Sequence, residues 1–373
     1  MSLRQLAWLS NPTNSVNATC AFGRVFLTRG RLTAMAELPA ADIRRVQIGQ
    51  ACRNGPSVVE RRRSRMKSVV VCVPGVPERS HIGALPANVE LVLVARELSP
   101  GLDLTRVEFL VPADWAKQLV LARLGVMARL RVIQTLSAGV DWLRGRVPEN
   151  VLVCNARGVY DDPMAEWVLG AILAMQRGLI QARDAQRAGE WHWFEPYELS
   201  GARIVILGFG SIGSAVAARL RPFGVDVVGV ARTRREGVLG LEDLDGALRT
   251  ADILIDLLPL SAETAGLLDV RRLGLLPSGA LLVNAGRGPT VDTAALVDAV
   301  RSGRLRAVLD VTDPEPPPPN HPLWRLPGVL ISPHLAGDSG RTLGCAFALA
   351  GDQIRRFAAG HPLENQVPPH LLT

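Results

Sequence analysis

Three residues in the C-terminal half have side chains that together can reduce a ketone. Arg287 lies in the segment NAGRG, Glu315 in DPEP and His334 in SPHLAG. An arginine can bind a carboxylate and polarise a neighbouring carbonyl group. A histidine can donate a proton near neutral pH, and an adjacent carboxylate favours its protonated form. These residue types indicate reduction of a 2-keto acid, and they equally allow the reverse oxidation.

A single histidine more often has a structural role than a catalytic one. His321 and His361 each precede a proline, which is typical of loops, and His192 lies between two tryptophans, which is typical of packing. His334 differs because it follows a predicted strand, as Arg287 does. The carboxyl ends of parallel strands are where open α/β sheets bind ligands, so we expect the three candidate side chains to meet there.

The segment GFGSIG has three glycines at the spacing of a dinucleotide-binding turn. Gly208 allows the tight turn, Gly210 lets the backbone approach a pyrophosphate, and Gly213 lets the next helix pack close to its strand. A predicted strand precedes the motif and a predicted helix over 211–224 follows it. In this context the motif predicts a dinucleotide bound at the N-terminus of the helix.

The end of the next predicted strand favours NADPH over NADH. NAD-binding versions of this unit have an acidic residue there, which binds the ribose 2′-hydroxyl. This chain has Ala231, followed by Arg232, Thr233, Arg234 and Arg235. Because guanidinium groups bind phosphate, we expect contacts from Arg232, Thr233 and Arg234 to NADP, with NAD as the second choice. The alternative is that these arginines form a solvated surface loop.

The elements that position these residues alternate between short apolar runs and helical stretches. Helices are predicted over 211–224, 241–250 and 292–301, and the apolar run 167–175 indicates a buried helix. The alternation predicts parallel sheets covered by helices. The predicted strands are 69–73, 90–95, 128–136, 151–155, 202–210, 226–232, 252–258, 280–286, 307–311 and 328–333.

The composition is ordinary for a globular protein, with 48% hydrophobic and 21% charged residues among 373. No apolar run approaches the ~20 residues that a membrane span needs. The net charge is +7, but eleven arginines fall in residues 1–65 and no basic stripe with interleaved aromatics follows, which argues against nucleic acid as a partner. The five cysteines are scattered, so we expect free thiols in the cytoplasm and no metal site.

Residues 1–65 differ from the rest of the chain because they are rich in arginine, poor in acidic residues and without sustained periodicity. A transit peptide is one interpretation of that composition. We favour a disordered N-terminal extension, or translation that starts at Met66.

Taken in order, the motifs of residues 68–365 resemble those of the D-isomer-specific 2-hydroxyacid dehydrogenase family. The resemblance implies an α/β fold of two Rossmann-like domains, one flavodoxin-like and one dinucleotide-binding, with parallel sheets and a cleft between them. It implies a substrate domain of residues 66–164 and 338–373 and a dinucleotide-binding domain of residues 165–337. The segments that carry it are SAGVD (137–141), GVYDDPMAEWVLG (158–170), LGFGSIG (207–213), LPLSAET (258–264), NAGRGPTVD (284–292), LDVTDPEP (309–316) and HPLW with SPHLAG (321–337).

The resemblance also implies roles for individual residues. Arg287, Glu315 and His334 become the catalytic triad, and the backbone amides near Ala138 and Gly139 join Arg287 in holding the substrate carboxylate. Members of the family commonly form homodimers through the cofactor domain. The implied cofactor contacts are Ser211, Ile212, Leu258, Ala285 and Asp310, the last of them to the nicotinamide carboxamide.

Two departures from the family pattern leave the substrate pocket undefined. Trp167 stands where a histidine often follows the Ala-Glu pair, and Thr312 stands where phenylalanine is common. Glu315 argues against the formate dehydrogenases, which have glutamine there. Two functions remain open: an NADPH-dependent reductase of a small 2-keto acid such as glyoxylate or hydroxypyruvate, and a nucleotide-sensing protein similar to the family's transcriptional corepressors. The intact triad favours the enzyme.

Overall fold

A computed structural model of the chain describes residues 68–94 and 103–372. The extension predicted over residues 1–65 lies outside the described residues. Two parallel sheets form the framework of the described part, and helices cover them. Both sheets belong to one compact unit.

The first sheet has five parallel strands in the spatial order 2-1-3-4-5. This is the flavodoxin-like order of a doubly wound sheet. Valine side chains on both faces of its first strand are buried, as expected of a parallel strand covered by helices on both sides. The strands are β1 (Val69–Pro74), β2 (Val89–Val94), β3 (Phe109–Leu110), β4 (Val132–Gln134) and β5 (Leu152–Cys154).

The second sheet has seven parallel strands. They are β6 (Arg203–Leu207), β7 (Asp226–Val230), β8 (Val238–Leu239), β9 (Ile253–Asp256), β10 (Ala280–Asn284), β11 (Leu305–Leu309) and β12 (Val329–Ile331). Their spatial order is β12-β11-β10-β9-β6-β7-β8. The chain order reverses between β6 and β9, and the carboxyl ends at such a reversal are where open α/β sheets bind dinucleotides.

The helices of the described residues are α1 (Lys117–Arg123), α2 (Asp161–Gln176), α3 (Leu179–Ala188), α4 (Ser211–Leu220), α5 (Leu244–Leu248), α6 (Val270–Leu275), α7 (Thr293–Arg301) and α8 (Thr342–Ala359). No helix in the described ranges combines the length and the apolar character that a membrane crossing requires. The buried helix predicted over 167–175 is confirmed as part of α2.

Two of these helices connect distant parts of the chain. Phe347 and Ile354 of α8 share a buried core with Val71 and Val73 of β1. The C-terminal helix therefore covers one face of the first sheet. Helix α2 follows β5 in the chain, but its buried face shares a core with β6 and β10 of the second sheet.

The alternation of strands and helices predicted from the sequence is confirmed, with local differences in length. The strand predicted over 128–136 is reduced to β4, because residues 127–130 form a turn closed by the Leu130 amide on the Met127 carbonyl at 2.9 Å. The helix predicted over 241–250 is a 3₁₀ turn followed by the short α5. Strands β3 and β8 were missed because two residues show no periodicity.

Candidate active site

Strand β6 runs into the glycine turn that opens α4. Gly208 has a φ of +94°, and a Cβ there would lie 2.9 Å from the Leu257 backbone, so glycine is required. A Cβ on Gly213 would lie 2.8 Å from the Gly208 carbonyl oxygen. A Cβ on Gly210 would meet no described atom within 4 Å, which leaves open space before Ser211, the first residue of the helix. These features fit a pyrophosphate against the helix N-terminus.

The exposed turn after β7 has arginines that are paired with carboxylates. Arg232 contacts Glu263 at 3.0 Å. Arg234 contacts Glu242 at 3.2 Å and Asp243 at 2.5 Å. The hydrogen bond to Glu242, and to a smaller extent the one to Asp243, raises the pKa of Arg234 above its usual range. A 2′-phosphate at this turn therefore competes with carboxylates of the same chain.

Arg235, which was not among the predicted cofactor contacts, reaches back to the glycine turn. Its guanidinium donates a hydrogen bond to the carbonyl oxygen of Phe209. The ring of Phe209 lies against Gly229 of β7, where a Cβ would be only 2.5 Å from ring carbons. Arg235 therefore connects the arginine turn, which also includes the exposed Thr233, to the turn that precedes α4.

A cleft of about 560 Å³ is lined by loops that follow strands of both sheets. Nine of the residues singled out from the sequence line it: Ala138, Gly139, Ile212, Leu258, Ala285, Arg287, Asp310, Glu315 and His334. The remaining predicted cofactor residues lie in the glycine turn and the arginine turn. Residues more than 190 positions apart in the chain, such as Ala138 and His334, thus share one cavity.

His334 and Glu315 form a hydrogen-bonded pair in this cleft. Nδ1 of His334 lies 2.6 Å from Oε1 of Glu315. Because an ionised carboxylate can only accept, the hydrogen lies on Nδ1, and Nε2 is left for another partner. The backbone of His334 has a φ of +52°, in the left-handed region that residues other than glycine seldom adopt. Such backbone conformations are concentrated at functional sites.

Asp310 secures the loop that carries His334. Its carboxylate accepts hydrogen bonds from the Ser332 hydroxyl at 2.6 Å and from the amides of Leu335 and Ala336 at 2.9 Å. Its carbonyl oxygen accepts from the His334 amide at 2.9 Å. The expected contact of Asp310 with the nicotinamide carboxamide stays a prediction, and the structure adds a role in holding the histidine loop.

Arg287 is oriented by residues from both sheets. Its Nε donates to Oδ1 of Asp141 at 3.0 Å, and a second guanidinium nitrogen donates to the Gly286 carbonyl at 2.7 Å. The guanidinium lies so close to Gly139 that a Cβ there would overlap it. Asp141 lies in the motif SAGVD, but its role was not among those predicted from the sequence.

Other residues of the cleft were not predicted from the sequence. Lys117 of α1 lies 5.9 Å from the ring centroid of Trp142, and both line the cleft. The hydroxyl of Tyr160 donates to the Leu136 carbonyl at 2.6 Å. Tyr160 lies within a motif, and Trp142 directly follows one, so inspection of those segments would have found them. Lys117 has no such local signal. No cluster of His, Cys, Asp and Glu suited to a metal occurs among the residues described.

In the second sheet, the glycine turn lies where the strand order reverses. The first sheet contributes the loop after β4 to the same cleft, and Asp141 of that loop binds the guanidinium of Arg287. Such an arrangement is typical of enzymes that bind a dinucleotide at the carboxyl ends of parallel strands. Comparison with known proteins identifies the family. The family model described as D-isomer specific 2-hydroxyacid dehydrogenase, NAD binding domain, matches residues 169–336.

A glyoxylate reductase of Thermofilum pendens is 36% identical over 261 residues, which cover 65% of this chain and 75% of the relative. The chain belongs to the D-isomer specific 2-hydroxyacid dehydrogenase family, as the resemblance predicted. It is accordingly an NAD(P)-dependent oxidoreductase that transfers a hydride between the cofactor and a 2-keto acid.

Solved structures show the same fold. A D-isomer specific 2-hydroxyacid dehydrogenase of Xanthobacter autotrophicus Py2, in complex with NADPH and MES, is 34% identical and has a TM-score of 0.69. The match covers 81% of this chain and 98% of that one. An NADPH-dependent glyoxylate/hydroxypyruvate reductase of Sinorhizobium meliloti, in complex with NADP and sulfate, is 27% identical with a TM-score of 0.70, over 82% of this chain and 99% of that one.

Proposed function

We propose that the protein reduces a small 2-keto acid, such as glyoxylate or hydroxypyruvate, with NADPH to the 2-hydroxy acid, in the D configuration where that product is chiral. The observation that carries this proposal is the hydrogen-bonded pair of His334 and Glu315 in one cleft with Arg287. The choice of substrate is supported by relatives named glyoxylate reductase and glyoxylate/hydroxypyruvate reductase.

In the proposed reaction His334 donates a proton from Nε2 to the substrate oxygen. Glu315 accepts the hydrogen bond from Nδ1, which keeps the ring oriented and stabilises its charged form. Arg287 binds the substrate carboxylate and polarises the ketone, assisted by the backbone amides near Ala138 and Gly139. When bound, NADPH supplies the hydride from nicotinamide C4. Closure of the cleft excludes water.

The cofactor is proposed to extend from the arginine turn to the cleft. Gly208, Gly210, Ser211 and Gly213 would hold the pyrophosphate at the start of α4. Ile212, Leu258 and Ala285 would contact the nicotinamide half, because they line the cleft, and Asp310 would bind the carboxamide.

The preference for NADPH is part of the proposal. Ala231 offers no carboxylate to repel a 2′-phosphate, and Arg232, Thr233 and Arg234 are exposed in the turn that would receive it. Two solved relatives contain NADPH or NADP. NAD is the second cofactor in this proposal, because carboxylates already paired with Arg232 and Arg234 weaken the attraction of these arginines for a 2′-phosphate.

We further propose a homodimer formed through the cofactor domain. The segment between α3 and β6 exposes Trp191 completely, at 102%, and Trp193 at 80%. Tyr197 in the same segment and Leu179 at the start of α3 are also exposed. Exposed aromatic side chains grouped in this way mark protein interaction surfaces.

Two further proposals concern organisation and location. The core shared by α8 and β1 supports a substrate domain of residues 66–164 and 338–373, with residues 165–337 binding the dinucleotide. Helix α2, which packs with the second sheet, starts at Asp161 and therefore spans that boundary. The cytoplasm is the proposed location, and the free thiols of Cys72, Cys154 and Cys345 are consistent with it.

A substrate panel tests the proposal. The purified protein should oxidise NADPH in the presence of glyoxylate or hydroxypyruvate, and His334→Ala should lower turnover by about 10²–10⁴-fold while NADPH still binds. If no 2-keto acid of a panel were turned over by the unaltered protein while NADPH bound, the protein would be a nucleotide-sensing binding protein instead.

A further inference from the structure

A buried acidic residue lies beneath the active-site loops without a role in the proposed reaction. Asp256 ends strand β9, and its side chain is fully buried. Its Oδ1 accepts a hydrogen bond from the Leu258 amide at 3.0 Å. Its Oδ2 lies 2.5 Å from the hydroxyl oxygen of Thr290, and that same hydroxyl lies 2.6 Å from the carbonyl oxygen of Arg287.

The Thr290 hydroxyl therefore lies between two oxygens but has only one hydrogen to donate. The Arg287 carbonyl can only accept, and an ionised Asp256 could also only accept. One of the two short contacts would then join two oxygens without a hydrogen between them. If Asp256 is protonated, Oδ2 donates to the Thr290 hydroxyl and that hydroxyl donates to the Arg287 carbonyl. Both contacts are then satisfied.

We propose that Asp256 is a positioning residue whose protonated carboxyl joins the Leu258 loop to the Arg287 loop. The inference rests on the proposed function, because it takes Arg287 as the substrate-binding residue. The two loops already touch, since a Cβ on Gly286 would lie 2.7 Å from the Leu258 carbonyl oxygen. The Arg287 carbonyl also accepts from Nδ2 of Asn284 at 3.1 Å, so it is held from two sides.

The surroundings of Asp256 favour the neutral carboxyl. Burial raises its pKa to about 6, against the opposing hydrogen bonds from Thr290 and Leu258. Its neighbours across the sheet are Leu207 on β6 and Asn284 on β10, both uncharged. Arg287 is the charged residue whose carbonyl the Thr290 hydroxyl contacts, and its guanidinium pairs with Asp141 rather than with Asp256. Loss of the proton would leave a buried charge and break the bridge through Thr290.

Asp256→Asn tests the proton directly, because an amide donates to Thr290 and accepts from Leu258 without titrating. The wild-type KM for glyoxylate should rise about fivefold as the pH rises through about 6, the effect of one lost hydrogen bond. D256N should keep the low-pH KM over the whole range, whereas D256L should raise KM at every pH with a smaller effect on kcat. A D256N profile that follows the wild type, or an unchanged KM in D256L, would overturn the inference.

A second pair of variants serves if D256L does not fold. Thr290→Val removes the bridging hydroxyl and keeps the side-chain shape, and Thr290→Ser restores the hydroxyl. T290V should raise the KM for glyoxylate about as much as D256L does, and T290S should have the same KM as the wild type. Equal KM values for T290V and T290S would show that the bridge does not position Arg287.

Thermal unfolding separates this inference from the proposed function. A carboxyl with a raised pKa in the folded state adds stability that is present at low pH and is lost as the pH rises through the folded-state pKa, here about 6. The melting temperature of the wild type should therefore fall relative to that of D256N between about pH 5 and pH 7. This result is expected even if no 2-keto acid is turned over, and parallel curves for the two proteins would refute the protonated carboxyl.

Discussion

Asp141 and Arg287 form an ion pair that connects the two sheets, with Oδ1 of Asp141 3.0 Å from Nε of Arg287. Asp141 follows β4 of the first sheet, and Arg287 follows β10 of the second. Because Asp141 holds the guanidinium through Nε, the plane of the group is set before a substrate arrives. The preorganisation of Arg287 thus depends on a residue from the other sheet.

Asp141→Ala should raise KM for the 2-keto acid about tenfold, since one hydrogen bond to a charged group is lost at a partly exposed site. The KM for NADPH should change little, because Asp141 hydrogen-bonds to Arg287, which is assigned to the substrate and not to the cofactor. Asp141→Asn keeps an oxygen that accepts from Nε and should recover most of the loss. Steady-state kinetics of both variants decide the matter, and an unaltered KM in the alanine variant would contradict the prediction.

Gly139→Ala should impair catalysis without unfolding the protein. The added methyl group would overlap the Arg287 guanidinium, and the flexible end of that side chain can move aside. We therefore expect a fall in kcat/KM of about 10² and an unchanged melting temperature. Gly170→Ala is the matched control, because Gly170 lies on the exposed side of α2 where a Cβ meets no described atom within 4 Å. A fully active G139A would refute the close contact.

Glu315→Gln should lower kcat less than His334→Ala does. Glutamine retains an oxygen that accepts from Nδ1 of His334, but it lacks the charge that stabilises the protonated ring. A loss of about 10–100-fold is expected for E315Q, against about 10²–10⁴-fold for H334A. Single-turnover rates with bound NADPH measure both. Equal losses in the two variants would mean that the charge of Glu315 is as essential as the imidazole itself.

Glu263→Gln should tighten NADPH binding by releasing Arg232 from its carboxylate partner. Because exposed ion pairs are weak, the gain should be about two- to fivefold. Arg232→Ala should weaken NADPH binding, and neither variant should alter the affinity for NADH. Fluorescence titration with both cofactors provides the comparison. Equal changes for NADPH and NADH would place the 2′-phosphate away from Arg232.

The parts of the site that could be predicted are those marked by a short sequence motif, and contacts between residues far apart in the chain could not be predicted. The glycine turn and the alternation of strands and helices are visible in short segments, so nine of the residues that line the cleft could be predicted from motifs. Asp141 and Arg287 are 146 positions apart, and nothing near either residue marks the other as its partner. The carboxylates that pair with Arg232 and Arg234 lie 8 to 31 positions away, and no local pattern marks them as partners either. Asp256, in contrast, was visible as the one acidic residue in the apolar run ILIDLL (253–258).

Replacement of both Trp191 and Trp193 by serine should convert the proposed dimer into a monomer. Both side chains are almost fully exposed in the single chain, and burying them would contribute a large apolar area to an interface. Sedimentation velocity gives the mass of the variant and of the wild type. Trp115→Ser, an exposed tryptophan outside the cofactor domain, should leave the mass unchanged. A wild type that sediments as a monomer would remove the dimer proposal.

The core that α8 shares with β1 has a consequence for the newly made chain. The residues that cover Val71 and Val73, among them Phe347 and Ile354, leave the ribosome only after the entire second sheet has been translated. The nucleotide-binding half can therefore fold during synthesis, while the first sheet keeps an apolar face uncovered until release. Chaperones are expected to act on this face, and truncation before α8 should yield an aggregating product with one folded half.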